Sequence, residues 1–333
     1  MLEIKKMIVH VLDCEHNILL FSDNVLEDLD EQVNKIVVSK IMKAFQSNML
    51  KDAYFHVTSK FKQYIQNYKN ENISFVDFCK AVTQLYFDAK MNYAQYHASD
   101  LWCIEVLYED RRYLVMIENT YQEALTHHIV NYEKGVTNEI IQHKTLLSSL
   151  FRKKDQAIIV ELYDESVKVI ENKIECDGKG KNFISDFIID AGSVPSYKES
   201  ISTIESLSKE MSEKYQIDEV KLLPKMKKMI VDSIDSNTKI NIEQMADTLF
   251  DDYPLAKSDF KDEIRKKGIE KEIKVENKKV TKSNKLQKIT TDTGIEISFP
   301  IDYIDSKDMI EFKNNPDGTI VIQLKNINKI LSK

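Results

Sequence analysis

Gly178-Lys179-Gly180-Lys181 stands just before a helical pattern that opens at Phe183. Alternating glycine and lysine in that position suits the binding of an anion. Glycines clear Cβ atoms away from backbone N–H groups, a helix N-terminus adds a positive end, and the two lysines bring full charges. Such a site holds one phosphate and reads no base. The plainer alternative is a hairpin-to-helix turn with solvated lysines. Nucleotide hydrolysis is disfavoured. A phosphate-cradling loop needs G-x-x-x-x-G-K-[ST], whereas here Asn182 follows Gly180-Lys181 and Gly178 lies two residues back. The dinucleotide fingerprint fails as well, because Phe183 stands where the third glycine is needed.

A second cationic cluster runs from Arg265 to Lys288, where ten basic residues meet three acidic ones. Arg265, Lys266, Lys267, Lys278, Lys279, Lys282 and Lys285 are its candidate phosphate contacts. The chain as a whole carries −7, but salt screens charge beyond about 8–10 Å, so the local patch decides attraction at contact range. No Phe, Tyr or Trp occurs between 261 and 298, which disfavours a base-stacking single-strand binder there. Helical patterns at 240–250 and 256–267 have helix-turn-helix lengths. Asp259, Asp262 and Glu263 on the second would repel phosphates, so ordinary packing with a charged outer face is the competing reading.

Other constellations offer less. His10, Asp13, Cys14 and His16 surround the first turn, but strand alternation sends them in different directions, against the convergence a metal needs. His127, His128 and His143 lack H-x-x-x-H spacing. Arg111 and Arg112 read as a solvated hairpin turn or as phosphate contacts. No G-x-S-x-G or H-E-x-x-H occurs. No catalytic role, cofactor or metal is therefore expected. A metal-dependent nuclease built from dispersed acids stays open as an alternative.

The elements that must hold these residues read as α+β: an antiparallel sheet with helices on one side, a helical middle region and a small C-terminal β-meander. Residues 2–12 and "ILLFSD" form an opening hairpin. Helical periodicity covers 27–50 and about 58–69, and a third helix starts at Ser74 with the S-x-x-D capping box of "SFVD". Two further hairpins turn at "EDRR" and "DES", while 121–155 has mixed periodicity and no assignable element. Pro224 predicts a break or kink in the helical middle region. The expected divisions are 1–192 as an α+β domain, 193–268 as a helical region, 269–288 as a lysine-rich linker or edge segment, and 289–333 as the meander with a basic tail.

Four scattered cysteines without a CxxC pair fit reduced thiols of a cytosolic protein. No stretch approaches the ~20 apolar residues of a membrane span, so no membrane association is expected.

"GKGKNFISDFIIDAG" resembles the central motif of the bacterial nucleoid-associated protein family of the NdpA/YejK type, in which a Gly/basic run leads into a K-x-x-x-D-F/Y-F helix. The opening "IKKMIVHVLD", then "ISFVDFCKAVTQLYFDAK", "LWCIEVLYEDRRYLVMIEN" and the closing "GIEISFPIDYIDSKDMIEFKNNPDGTIVIQLKNI" resemble the family's blocks in the same order. Residues 121–155 and 265–288 depart from the pattern. The resemblance implies association with DNA in the cytoplasmic nucleoid, alongside DNA topoisomerases, with no established enzymatic activity.

The combined expectation is a binder of double-stranded DNA through backbone phosphates with little sequence preference, working as a homodimer. The alternatives are an adaptor docking on a DNA-processing enzyme such as a topoisomerase, and a nuclease or foreign-DNA defence protein.

Overall fold

The computed structural model describes residues 2–93, 95, 97–132, 135–275, 285–303, 306, 308–317 and 319–329. Contacts divide the chain into two compact units, Met1–Ser196 and Tyr197–Lys333.

The first unit runs β1 (Glu3–Asp13), β2 (Ile18–Leu20), α1 (Glu31–Phe45), β3 (Lys51–Phe55), α2 (Lys60–Lys69), α3 (Phe75–Asn92), β4 (Ser99–Tyr108) and β5 (Arg111–Thr120). It continues with β6 (Gln122–Tyr132), β7 (Gly135–Leu146), β8 (Gln156–Glu161), β9 (Val167–Ile170), β10 (Lys173–Cys176), β11 (Lys179–Asn182), α4 (Phe183–Phe187) and β12 (Ala191–Ser193). Eight strands form one antiparallel sheet in the order β12-β3-β9-β8-β5-β4-β1-β2.

Strand side chains alternate between faces, and both faces of this sheet are apolar. Leu101, Cys103, Leu114, Met116, Ile158 and Val160 join the core under α2 and α3. Trp102, Ile104, Val115, Ile117, Ala157 and Ile159 pack with Val37, Ile41 and Ala44 of α1. The α+β class and the antiparallel sheet stand, but helices cover both faces rather than one. The cause is legible in β4, β5 and β8, whose continuous apolar runs leave no polar face for water.

Helix starts follow their caps. Ser74 Oγ accepts the Asp77 N–H at 3.1 Å, the first half of the expected box, and its hydroxyl donates to Asp77 Oδ2 at 2.7 Å. Asp30 caps α1 through Gln32 and Val33, so the acidic run before it lies outside the helix, which is shorter than 27–50. The β4–β5 turn places Glu109 and Asp110 at φ 50° and 60°, the primed geometry that matches strand twist. Residues 121–155 contain β6 and β7, which among the described residues pair only with each other.

The second unit contains α5 (Tyr197–Tyr215), α6 (Glu219–Asp235), β13 (Ile240–Asn241), α7 (Ile242–Leu249), α8 (Pro254–Lys266) and β14 (Glu272–Ile273). Then come β15 (Leu286–Thr290), β16 (Glu296–Pro300), β17 (Ile310–Asn314) and β18 (Ile320–Leu324). Its core joins Ile204, Leu207, Met226, Ile230, Phe250 and Phe260. α6 continues through Pro224 instead of breaking. Pro224 lies in the second turn, where its missing N–H costs one hydrogen bond, while Leu222, Leu223 and Met226 anchor the segment in the core. The closing strands form two separate hairpins, β15–β16 and β17–β18, rather than one meander.

Candidate nucleic-acid interface

The Gly-Lys stretch is a hairpin, not a cradle. β10 and β11 pair antiparallel, with Cys176 opposite Lys179, Glu175 opposite Gly180 and Ile174 opposite Lys181. Asp177 and Gly178 form the turn at φ 52° and 71°, the Asp-Gly pairing that a two-residue turn prefers. Gly178 therefore answers a backbone need. Gly180 sits in the strand with a pairing partner and does not adopt positive φ. The following α4 has only five residues, and several donors at its start are already engaged. The Ser185 N–H and hydroxyl both donate to Glu171, at 2.7 and 2.5 Å, and the Asn182 N–H donates to Asp186 at 2.9 Å. Glu171 is itself buried against Lys51 at 2.9 Å. The chain's own carboxylates thus occupy the place that a phosphate would take. What survives of the motif is charge: Lys179 and Lys181 are exposed, two positions apart, on one hairpin face.

That face adjoins a cleft of mixed charge. Ile174, opposite Lys181, lines this cleft of about 1140 Å³ together with Lys144, Arg152, Lys153 and Lys154, and with the carboxylates of Asp13, Glu15 and Glu123. The "RKK" run at 152–154 went unread in the sequence, although three successive cations before a buried strand are its own signal. A buried carboxylate sets its geometry. Asp155 lies 3.2 Å from Lys40, both fully buried, and accepts the Arg152 backbone N–H at 2.9 Å. The Arg152 guanidinium donates to Asp155 at 3.2 Å and to the Thr120 hydroxyl at 2.7 Å. Arg152 is therefore tied down, while Lys153 and Lys154 remain exposed. Among the described residues, no ion-pair partner engages Lys144, Lys153, Lys154, Lys179 or Lys181.

Beneath the cleft, Gln156 donates to Glu118 at 2.9 Å, and Lys90 and His97 approach the same carboxylate at 2.6 and 3.3 Å. Burial alone would raise the Glu118 carboxyl, but Lys90 and His97 outweigh it and hold it well below the usual carboxylate range. This floor is fixed structure rather than free charge.

The second cluster is placed differently. Lys257, Lys261 and Arg265 recur every four residues along α8 and meet Glu243 and Asp247 of α7. Lys266 pairs with Glu263 at 2.7 Å and Lys285 with Asp235 at 3.4 Å. The helix pair is thus laced by opposite charges, and α8 offers few unmatched cations to a groove. Lys267 is exposed and without an ion pair among the described residues. Lys278, Lys279 and Lys282 lie outside the described residues.

The other constellations resolve into structure. His10 is buried, with its Nδ1 accepting the Ser22 N–H at 3.0 Å, and burial with Lys80 nearby lowers its pKa to about 4. His16 Nδ1 sits 2.9 Å from Asp13. Among the described residues, no three His, Cys, Asp or Glu side chains gather as metal ligands. Arg112 forks onto the buried Glu105 at 2.6 and 2.8 Å while its own side chain stays more than half exposed. No described helix is long and apolar enough to cross a membrane.

No curated protein matches the chain. The family model described as nucleoid-associated protein YejK matches residues 8–332, nearly the whole length and across both units. By that match, the chain belongs to the nucleoid-associated protein YejK family.

Proposed function

We infer that this chain binds duplex DNA in the bacterial nucleoid, through phosphates and with little preference for base sequence. One observation carries the reading. Five exposed lysines, at 144, 153, 154, 179 and 181, have no ion-pair partner among the described residues and gather along one cleft and its neighbouring hairpin, on a chain of net charge −7. Lysine presents a compact, mobile charge that suits phosphate oxygens in any sequence. Lys267 is a further candidate contact, as are Lys278, Lys279 and Lys282 by charge alone, while the paired Arg265, Lys266 and Lys285 contribute least. Gly178 and Gly180 serve by shaping the hairpin rather than by binding phosphate themselves. A homodimer would double the contacts of one cleft. The role is architectural, with no catalytic step assigned to any residue.

A salt titration of duplex binding tests this. About 4–8 phosphate contacts per bound unit imply that log affinity falls linearly with log salt, at roughly −0.9 per contact. A salt-independent affinity contradicts it.

A second reading concerns the Tyr197–Lys333 unit. Its charges are matched within α7 and α8, a surface better suited to a protein than to a polyanion. Docking there on a topoisomerase or another DNA-processing enzyme is tested by co-purification that survives nuclease treatment.

A further inference from the structure

Residues 147–155 join β7 to β8 without helix or strand, and they carry Lys153 and Lys154. These two lysines are the central pair of a four-residue turn. The Asp155 N–H donates to the Arg152 carbonyl at 3.1 Å, closing the turn on its main chain. The Asp155 carboxylate closes it again by accepting the Arg152 N–H at 2.9 Å. Asp155 therefore shapes the turn through both its backbone and its side chain, while Lys153 and Lys154 stand exposed between the ends.

Asp155 is held in turn by Lys40, from the middle of α1. Lys40 Nζ lies 3.2 Å from Asp155 Oδ2, with neither side chain accessible, and donates to the Ser148 carbonyl at 3.3 Å. The Trp102 ring centroid lies 5.2 Å from the same ammonium, within cation–π reach. One ammonium thus grips the segment near both ends, at Ser148 and at Asp155, and ties it to α1. Phe151, between those points, packs half-buried on the core that holds Val37 and Ile41.

Lysine is almost never fully buried unless paired. A buried ion pair is weak evidence for stability, because desolvation offsets the attraction. Geometry and charge give this one a different use. Lys40 fixes the carboxylate that closes the turn. It also neutralises Asp155 from the interior, so that the neighbouring Lys154 is not drawn into doing so.

We propose that Lys40 is a positioning residue for the phosphate contact: out of reach of any duplex, it acts through Asp155 to fix the turn that presents Lys153 and Lys154. The use of the clamp rests on the DNA-binding reading; its existence does not. Without it, the turn must be ordered at the moment of binding, and that cost appears as lost affinity.

Amide hydrogen exchange without DNA tests the clamp. In the wild type, the Arg152 and Asp155 amides should exchange at least about tenfold more slowly than in an unstructured chain. Unprotected amides overturn the proposal. In Lys40→Met both amides should lose protection, while α3, on the other face of the sheet, keeps its own. Where Lys40→Met does not fold, Lys40→Met with Asp155→Asn replaces it, since that pair strands no charge. Retained protection at both amides overturns the clamp.

Duplex affinity, by anisotropy at ~0.1 M salt, tests the function. Lys40→Met should weaken binding roughly fivefold. On a Lys153→Ala, Lys154→Ala background the same change should cost less than about twofold, because its effect passes through those lysines. An equal loss on both backgrounds marks a general effect on the fold and overturns the positioning role, as does wild-type affinity in Lys40→Met. If the lysine pair itself proves dispensable, the DNA-binding reading fails and the positioning role falls with it, while hydrogen exchange still decides the clamp.

Discussion

Lys261 Nζ lies 2.9 Å from Asp247 Oδ1, joining α8 to α7. The hydrogen bond to Asp247 raises the Lys261 pKa, and the same contact lowers that of Asp247. Positive charge in the sequence is therefore not the same as positive charge offered to a ligand. The cations of α8 are spent on α7, whereas Lys153 and Lys154 have no such partner among the described residues.

That contrast yields the first prediction. Lys153→Ala with Lys154→Ala should weaken duplex binding at ~0.1 M salt by at least about tenfold, since one lost phosphate contact costs up to about eightfold there. Arg265→Ala with Lys266→Ala should change it by less than about twofold. Fluorescence anisotropy on two unrelated duplexes checks both, and a loss confined to one duplex would indicate base readout.

The hairpin separates backbone from charge. Gly178 holds φ at 71°, a conformation that costs a residue with Cβ about 1–2 kcal/mol. Gly178→Ala should lower the melting temperature measurably. Gly180→Ala should not, because Gly180 does not adopt positive φ and its added Cβ would meet nothing within 4 Å. Equal effects at the two positions would contradict the turn assignment.

Local rules made much of this architecture readable in advance. The Ser74–Asp77 box, the paired apolar runs of β4 and β5, and the turn between them at Glu109–Asp110 all state their structure within a few residues. The misses came from longer range. α1 crosses to the far face of the sheet because both faces are apolar, a fact that emerges only when the strands are assembled. β3 and β12 are short elements recognised by pairing rather than by pattern. β6 and β7 escaped because exposed strands without a buried face lose the alternation that marks most strands. At the candidate site, the lysine pair 179 and 181 was visible as charge, but its helix-terminus setting was not, because Glu171 reaches that terminus from 14 residues away.

Buried charge supplies a stability test. Lys90 Nζ sits 2.6 Å from Glu118, with both side chains inaccessible. Lys90→Met removes the buried cation that neutralises Glu118, leaving His97 and Gln156 beside it, and should cost about 3 kcal/mol in denaturant unfolding. Adding Glu118→Gln, which removes the second charge, should restore part of that loss. A single variant as stable as wild type would contradict the pairing.

His10 predicts a pH response. Its pKa is lowered by burial to about 4, against 6.5 in the unfolded chain. The unfolded state therefore binds more protons between those values, so stability is intact above about pH 6.5 and falls as pH drops towards 4. The full loss is about 3 kcal/mol, at 1.36 kcal/mol per pH unit. His10→Gln should flatten the slope of unfolding free energy across that window, and an unchanged slope would contradict a neutral buried imidazole.

The central claim is that a few unpaired lysines hold duplex DNA on an acidic chain. Anisotropy of a labelled duplex, titrated with purified protein from dilute buffer to ~0.3 M salt, tests it most directly. Binding at low salt, with log affinity falling linearly as log salt rises and the Lys153/Lys154 and Lys179/Lys181 alanine variants showing shallower slopes, is the predicted result. A folded protein that leaves the duplex unbound in dilute buffer would contradict it.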